Sequence, residues 1–232
     1  MKPEQFTAKA IQDNIELHLK DINDEFRAGF EFLKKYPKSV TIFGSARLTP
    51  TSSHYHAAEH LAYRIVKDLG YSVITGGGPG IMEAANKGAR DAQSNGAAHG
   101  SSLGICIKLP QEQSTNKFVD SELRLDYFFT RKALLTFAAE AYLFFPGGFG
   151  TFDELFGIIT LIQTRKIPRV PVILVGNDFW KPLAVFIKHQ MLTEHQTISL
   201  GDENLFIITE DIEKIVNVVK HAPVSNWWEM LD

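Results

Sequence analysis

Arg131, Lys132 and Glu154 are the residues of this sequence whose types and spacing could do chemistry, and two glycine-dense runs accompany them. The first run is Gly76-Gly77-Gly78-Pro79-Gly80 and the second is Gly147-Gly148-Phe149-Gly150-Thr151. Glycine lets several backbone N–H groups approach an anion with no Cβ in the way, and a helix N-terminus adds positive potential there. Each run follows a short apolar stretch and opens a helix-like one. Both therefore suit a phosphate-bearing ligand, with tight strand-to-helix turns as the plainer reading. The dinucleotide fingerprint G-x-G-x-x-G fails, because Ile81 and Asp153 stand where the third glycine would be. The triphosphate loop fails as well, since no Gly-Lys pair followed by Ser or Thr occurs.

Arg131 and Lys132 directly precede a helical stretch, Ala133–Ala139. Cations at a helix N-terminus oppose the macrodipole, so the pair asks for a reason. One reason is a clamp on phosphate or on developing negative charge; the other is a solvated pair at a turn. Glu154 also has two readings. Thr151-Phe152-Asp153-Glu154 fits the capping box S/T-x-x-E, in which Glu154 merely satisfies a backbone N–H. Beside a phosphate loop, a buried carboxylate facing a sugar would instead be useful. Asp153 reads as a first-turn dipole partner. His54 and His56 flank Tyr55 without carboxylate or cysteine company and read as surface or cap residues, not a metal site. His99 reads as loop and Cys106 as core. No serine occupies a G-x-S-x-G elbow.

The elements that must hold these residues alternate. Short apolar runs at Val40–Phe43, Tyr71–Thr75, Leu103–Leu109, Leu123–Phe129, Ala141–Phe145, Val172–Val175 and Phe206–Thr209 read as strands. Helical stretches at Ala57–Leu69, Ile81–Ala92, Phe152–Thr164, Trp180–Met191 and Asp211–His221 separate or follow them. Continuous apolar strands joined by helices imply a parallel sheet covered on both faces, so the expected class is a doubly wound α/β fold. Ligands of such sheets bind beyond the carboxyl ends of the strands, where both glycine runs fall. Residues 1–38 read as a separate amphipathic helical arm. Ile11, Ile15, Leu17, Leu19, Ile22, Phe26, Phe30 and Leu33 recur at helix-like intervals, and Pro37 closes the segment. The arm would pack on the main domain, residues 39–232, or on a partner chain. Its acidic residues Asp13, Glu16, Asp21, Asp24 and Glu25 argue against an anionic membrane as its target.

Composition narrows the classes further. The chain has 232 residues, 44% of them hydrophobic and 22% charged, as in an ordinary soluble globular protein. With 24 Lys and Arg against 27 Asp and Glu the net charge is −3, which disfavours nucleic-acid binding through bulk positive charge. A single cysteine excludes an intrachain disulfide framework and a multi-cysteine zinc site. No run approaches the roughly 20 apolar residues that cross a bilayer. The expectation is a cytoplasmic protein without nucleic-acid or membrane partner, cofactor or metal.

The motifs also carry a resemblance. Pro146-Gly147-Gly148-Phe149-Gly150-Thr151-Phe152-Asp153-Glu154 is similar to the P-G-G-x-G-T-x-x-E signature of the LOG family, cytokinin-activating phosphoribohydrolases often labelled lysine decarboxylase-like. Arg131-Lys132 matches that family's R-K pair, and Gly76 through Ala84 resembles its other glycine loop in the P-G-I-M-E-A form of the longer subgroup. The resemblance spans roughly Val40 to Leu183. It implies a Rossmann-like, usually dimeric protein that hydrolyses the N-glycosidic bond of a nucleoside 5′-monophosphate to free base and ribose 5-phosphate. It implies Arg131 and Glu154 as the catalytic pair and the Gly147–Thr151 loop, with Gly148 and Gly150, as the seat of the 5′-phosphate. Ser45, Gly76, Gly77, Gly78, Gly80, Glu83 and Lys132 would complete the substrate site. Two positions depart from the family pattern: Leu135 replaces the methionine of R-K-x-x-M, and Glu140 replaces the aspartate before the fifth strand. No lysine that could hold a decarboxylase cofactor is recognisable. A non-catalytic carrier of nucleotide or molybdenum cofactor, and a general purine or pyrimidine nucleotide nucleosidase, stand as alternatives on the same fold.

Overall fold

In the computed structural model, residues 14–97, 99–108 and 114–222 are described. Helix α1 (Ile15–Lys34) precedes strand β1 (Ser39–Phe43). Then come α2 (Ser53–Arg64), β2 (Ser72–Thr75), α3 (Ile81–Ser94), β3 (Ser102–Ile107), β4 (Ser121–Leu125) and α4 (Phe128–Phe137). Strand β5 (Ala141–Phe144), α5 (Phe149–Gln163), β6 (Val172–Leu174), α6 (Asn177–Phe186), β7 (Ile207–Ile208) and α7 (Ile212–Lys220) follow. Helices α2 and α6 each run on into a wider π-type stretch, Ile65–Leu69 and Ile187–Glu194. The seven strands form one sheet in the order β4-β3-β2-β1-β5-β6-β7, and every pairing is parallel. The fold is α/β and Rossmann-like.

Two cores lie on the two faces of the sheet, and the alternation of side chains along each strand decides which one a residue joins. Val40, Ile42, Val73, Ala141 and Leu143 meet Ala58, Leu61 and Ala62 of α2, Ala84, Ala85 and Ala89 of α3, and Ile215 and Val219 of α7. Phe43, Ile74, Leu103, Tyr142 and Phe144 meet Leu33 of α1, Leu134 and Leu135 of α4, Leu155 and Ile158 of α5, and Trp180 of α6. Strands β1, β2 and β5 are buried throughout, which is why they read as largely apolar runs, with only the small polar residues Ser39, Thr41, Ser72 and Thr75 among them. Edge strand β4 is buried only in part.

Helix α1 packs on the main sheet through its second half. Phe26 and Phe30 lean on the second core, and Gly29 lets α1 approach α4, since a Cβ there would lie 2.2 Å from Leu134 Cδ1. Ile15, Leu17 and Leu19 at its start are exposed. Ile11 and Asp13 lie outside the described residues.

Several element ends differ from the sequence reading, as where α2 starts at Ser53 and takes in His54 and His56, and two of the differences bear on the site. The apolar run Leu123–Phe129 is not one strand: β4 stops at Leu125 and α4 begins at Phe128, so Arg131 and Lys132 sit inside the first turns of α4 and not ahead of it. The aromatic run Tyr127–Phe129 mimics strand composition, but the chain must turn there to cover the sheet. Helix α5 likewise starts at Phe149, with Gly148 as N-cap. The Thr151 N–H bonds the Gly148 carbonyl at 3.0 Å, so the capping box of Thr151 and Glu154 does not form. Glu154 is freed from that role.

Candidate active site

From β1 the chain winds outward through β2, β3 and β4, then returns to β5 on the other side of β1. The loops after β1 and β5 therefore diverge, and a crevice opens at this switch point. Backbone hydrogen bonds tie the three loops around it. The Ser45 N–H donates to the Pro146 carbonyl at 3.0 Å, and the Ser45 carbonyl accepts from the Ile81 N–H at 3.0 Å. The Ser45 hydroxyl accepts from the Arg47 N–H at 3.0 Å, holding the turn. Ser45 is thus the joint between both glycine loops.

The cavity has a volume of about 670 Å³. Phe43, Gly44, Ser45 and Arg47 line it from the first loop, Gly76 and Met82 from the second, and Phe128 and Arg131 from α4. Gly148, Phe149, Gly150, Thr151, Asp153 and Glu154 close it from α5. The Thr151 N–H is taken by the Gly148 carbonyl, but Gly148, Phe149 and Gly150 precede any intrahelical carbonyl, which leaves their N–H donors at the positive end of a helix beside the cavity.

Arg131 is held from below: its Nε donates to the Ile105 carbonyl at 2.8 Å. Its guanidinium lies over Gly76, where a Cβ would come within 2.3 Å of Nη2. Burial pulls the Arg131 pKa down, while the charge of Glu154 pushes it back up. Glu154 is 8% exposed. Burial raises its pKa to about 7, against the pull of Arg131 and Lys132, and Asp153 adds a smaller upward push. Its buried Oε2 has no hydrogen-bond partner among the described residues. A carboxylate that pays desolvation without a partner, and titrates near neutrality, is the kind of group that catalytic sites retain.

Other expected site residues take different places. Gly77 and Gly78 shape the loop from behind. The Gly77 N–H bonds Thr75 Oγ1 at 2.9 Å, and Asn116 Nδ2 donates to the Gly77 and Gly78 carbonyls at 3.2 and 3.0 Å. Gly80 has φ +70°, and a Cβ there would lie 2.3 Å from the Ser45 carbonyl oxygen. Gly147 backs Thr151, since a Cβ would meet Thr151 Oγ1 at 2.1 Å. Glu83 accepts from the Tyr55 hydroxyl at 3.1 Å and lies outside the cavity lining. Burial, then Glu83, raises the Tyr55 pKa. Lys132 is also outside that lining and pairs with Asp153 at 2.7 Å, bridging α4 to α5. Leu135 is fully buried in the second core, so its departure from the family pattern does not reach the cavity. Cys106 is buried and burial raises its thiol pKa, as suits a core residue. Among the described residues, no group of three or more His, Cys, Asp or Glu could hold a metal ion, and no helix is long and apolar enough to cross a membrane.

Arg47, Met82 and Phe128 were not singled out by sequence. For Arg47 a signal existed: it follows the first strand on the ligand-binding edge of the sheet. Phe128 was concealed by the strand-like run that contains it.

Comparison with known proteins agrees with this geometry. The model of a family described as "Possible lysine decarboxylase" matches residues 82–219, more than half of the chain. A cytokinin riboside 5′-monophosphate phosphoribohydrolase from Rhodococcoides fascians is 28% identical over 90 residues, which are 39% of this chain and 44% of the relative. The aligned region thus spans less than half the length of that relative. The molybdenum cofactor carrier protein from Chlamydomonas reinhardtii superposes with a TM-score of 0.56 at 19% identity, over 80% of this chain and 97% of that one. The molybdenum cofactor binding protein from Rippkaea orientalis gives 0.52 at 20% identity, over 78% and 93%. These two likenesses show the fold. The match over residues 82–219, together with the Arg131 and Pro146–Glu154 motifs that it spans, places this chain in the "possible lysine decarboxylase", or LOG, family.

Proposed function

We propose that the protein hydrolyses the N-glycosidic bond of a nucleoside 5′-monophosphate, releasing free base and ribose 5-phosphate. The observation that carries this reading is Glu154: a buried carboxyl group with an unpartnered oxygen, lining the same cavity as Arg131 and the N-terminus of α5. Cleavage of a ribosyl–base bond builds positive charge on the sugar ring. The Glu154 carboxylate stabilises that charge while water adds to the anomeric carbon and the base departs with a proton. The open N–H groups of α5 at Gly148–Gly150 seat the 5′-phosphate, and Arg47 adds positive charge at the rim. Arg131 supplies a fixed cation opposite Glu154. The named relative acts on a cytokinin nucleotide, and the base preferred here is open to AMP, N6-prenylated AMP and ordinary pyrimidine nucleotides.

Incubation with these nucleotides and with the matching nucleosides, followed by chromatography of released base, tests the reading. Base is expected from nucleotides and not from nucleosides, because only the former fill the phosphate seat. No release from any nucleotide would favour the second reading, a non-catalytic carrier like the molybdenum-cofactor proteins that share the fold. A carrier has no need of an unpartnered Glu154 near Arg131, which is why hydrolysis is preferred.

Self-association and a cytoplasmic setting belong to the same proposal. Phe149 is 96% exposed, and Phe156, Phe179 and Phe186 on α5 and α6 are exposed with it. Phe152 joins two of them, its ring 6.2 Å from Phe156 and 6.0 Å from Phe179. An apolar surface of this kind suits a second copy of the chain. Sedimentation equilibrium should report a homodimer or larger homo-oligomer that Phe156→Glu weakens; a monomer at micromolar concentration would refute it.

A further inference from the structure

The first turn of α4 has no capping side chain of its own: its N-cap residue, Tyr127, makes none. The cap comes from about a hundred residues away. On α1, Glu25 Oε1 accepts from the Asp126 N–H, and Oε2 accepts from the Thr130 hydroxyl and from the Tyr127 N–H at 3.4 Å. Thr130 is fully buried and directly precedes Arg131. The Arg131 N–H bonds the Tyr127 carbonyl at 3.2 Å, so the turn that Glu25 grips is the turn that carries Arg131. Two further contacts fix α1 on the same helix: His18 Nδ1 lies 2.8 Å from the Tyr127 hydroxyl, and Gly29 abuts Leu134.

We propose that Glu25 is a positioning residue for Arg131, so that the N-terminal helix supports the site through this one side chain. The inference rests on the assignment of Arg131 to the site. Its physical basis is twofold. A carboxylate at the N-terminus of α4 offsets the electrostatic cost of carrying Arg131 and Lys132 in the first turns. It also satisfies backbone donors that would otherwise let the turn fray and the guanidinium drift. The cap holds one end of α4 and the Ile105 carbonyl holds the guanidinium, so the position of Arg131 over Gly76 depends on both.

The test compares Glu25→Ala, Glu25→Gln and Phe26→Ala in the full-length protein. Phe26 stacks on Phe30 at 6.1 Å and leans on the core, so its truncation removes an α1 packing contact and none of the Glu25 hydrogen bonds. Glu25→Ala should lower kcat for AMP hydrolysis about tenfold or more with KM within twofold, since misplacing a reacting group by an ångström costs up to about a hundredfold. Glu25→Gln, which keeps one acceptor oxygen but loses the charge and the second acceptor, should recover only part of the loss, and Phe26→Ala should leave kcat within twofold. In an Arg131→Ala background, Glu25→Ala should change kcat by less than twofold, because the residue acts through Arg131. Hydrogen exchange across residues 125–137 should quicken in Glu25→Ala and not in Phe26→Ala. Equal kcat losses in Glu25→Ala and Phe26→Ala, or a full Glu25→Ala loss in the Arg131→Ala background, would overturn the proposal. A wild-type protein that releases no base would defeat the hydrolase reading alone. The exchange profile would then decide the cap, and an unchanged one in Glu25→Ala would overturn it.

Discussion

Glu154→Gln is expected to lower kcat for nucleotide hydrolysis by about 10²–10³-fold and, at alkaline pH, to stabilise the fold. The first effect follows from removing the negative charge that faces the developing cation. The second follows from the pKa. In the folded protein Glu154 titrates near 7, above its ordinary value of 4.5, because burial disfavours the charged form. Between those two values the folded state binds more protons than the unfolded one, so stability falls as pH rises from about 4.5 to about 7 and stays low above it. The full cost at pH 8 is on the order of 3 kcal/mol for a rise of this size. Glutamine carries no such charge but still buries an under-bonded amide, so about 1–3 kcal/mol should be regained. Urea unfolding at pH 8 and pH 4 checks this, with the gain expected at pH 8 and nearly absent at pH 4. A capping carboxylate would behave in the opposite way, losing stability on substitution and leaving turnover intact. In the wild type, kcat/KM should rise as pH climbs through about 7, since the ionised form is the working one; the residual activity of Glu154→Gln should lack that rise.

The second large effect belongs to Gly80. Its backbone, at φ +70° and ψ −129°, lies in a region that only glycine enters freely, and a Cβ would press on the Ser45 carbonyl and Ala46. Gly80→Ala should therefore cost about 3 kcal/mol or more, a fall of roughly 6–12 °C in Tm for a chain of this length. The damage should not stay local. Ser45 is hydrogen-bonded to both Ile81 and Pro146, so pushing it moves the loop proposed to seat the phosphate and should lower kcat/KM more than tenfold. Gly148→Ala is the contrast. Its φ is −91° and no atom lies within 4 Å of a Cβ placed there, so its Tm should stay within a degree or two. Its effect should instead fall on nucleotide affinity, because the added methyl points into open space at the α5 N-terminus. A Gly80→Ala protein that melts like wild type would remove Ser45 from its place as the joint of the site.

Much of the architecture was legible because it is written in short-range patterns. Strands β1, β2 and β5 are buried on both faces, so apolar residues dominate them without alternation and only small polar ones, such as Thr41 and Thr75, interrupt. The helix register of α2, α3 and α7 shows as apolar spacing for the same reason. Helix starts were less legible. Helix α5 starts at Phe149, three residues ahead of where its pattern suggests, because Gly147, Gly148 and Gly150 disfavour helix and Thr151 and Glu154 imitate a capping box. The start of α4 has no local signature, because an aromatic run such as Tyr127–Phe129 suits a strand and a helix equally until its neighbours are known.

Local sequence carries the alternation that builds the sheet, the two glycine runs that follow its strands, and the motif residues Arg131 and Glu154. Each depends on residues close together in the chain, where period, turn chemistry and spacing carry the information. Tertiary structure alone decided what those residues experience. The pKa of Glu154 near 7 is a sum of desolvation by everything packed around it and of charges on two different helices. Lys132 was drawn off to Asp153 and Glu83 to Tyr55, each by a neighbour on another helix. Arg47 came onto the cavity rim, and Glu25 reached a turn a hundred residues onward, through folding that brings distant segments together. Desolvation and long-range hydrogen bonds have no local signature, which is why the chemistry of the residues could be named from the sequence while their charge states and supports could not.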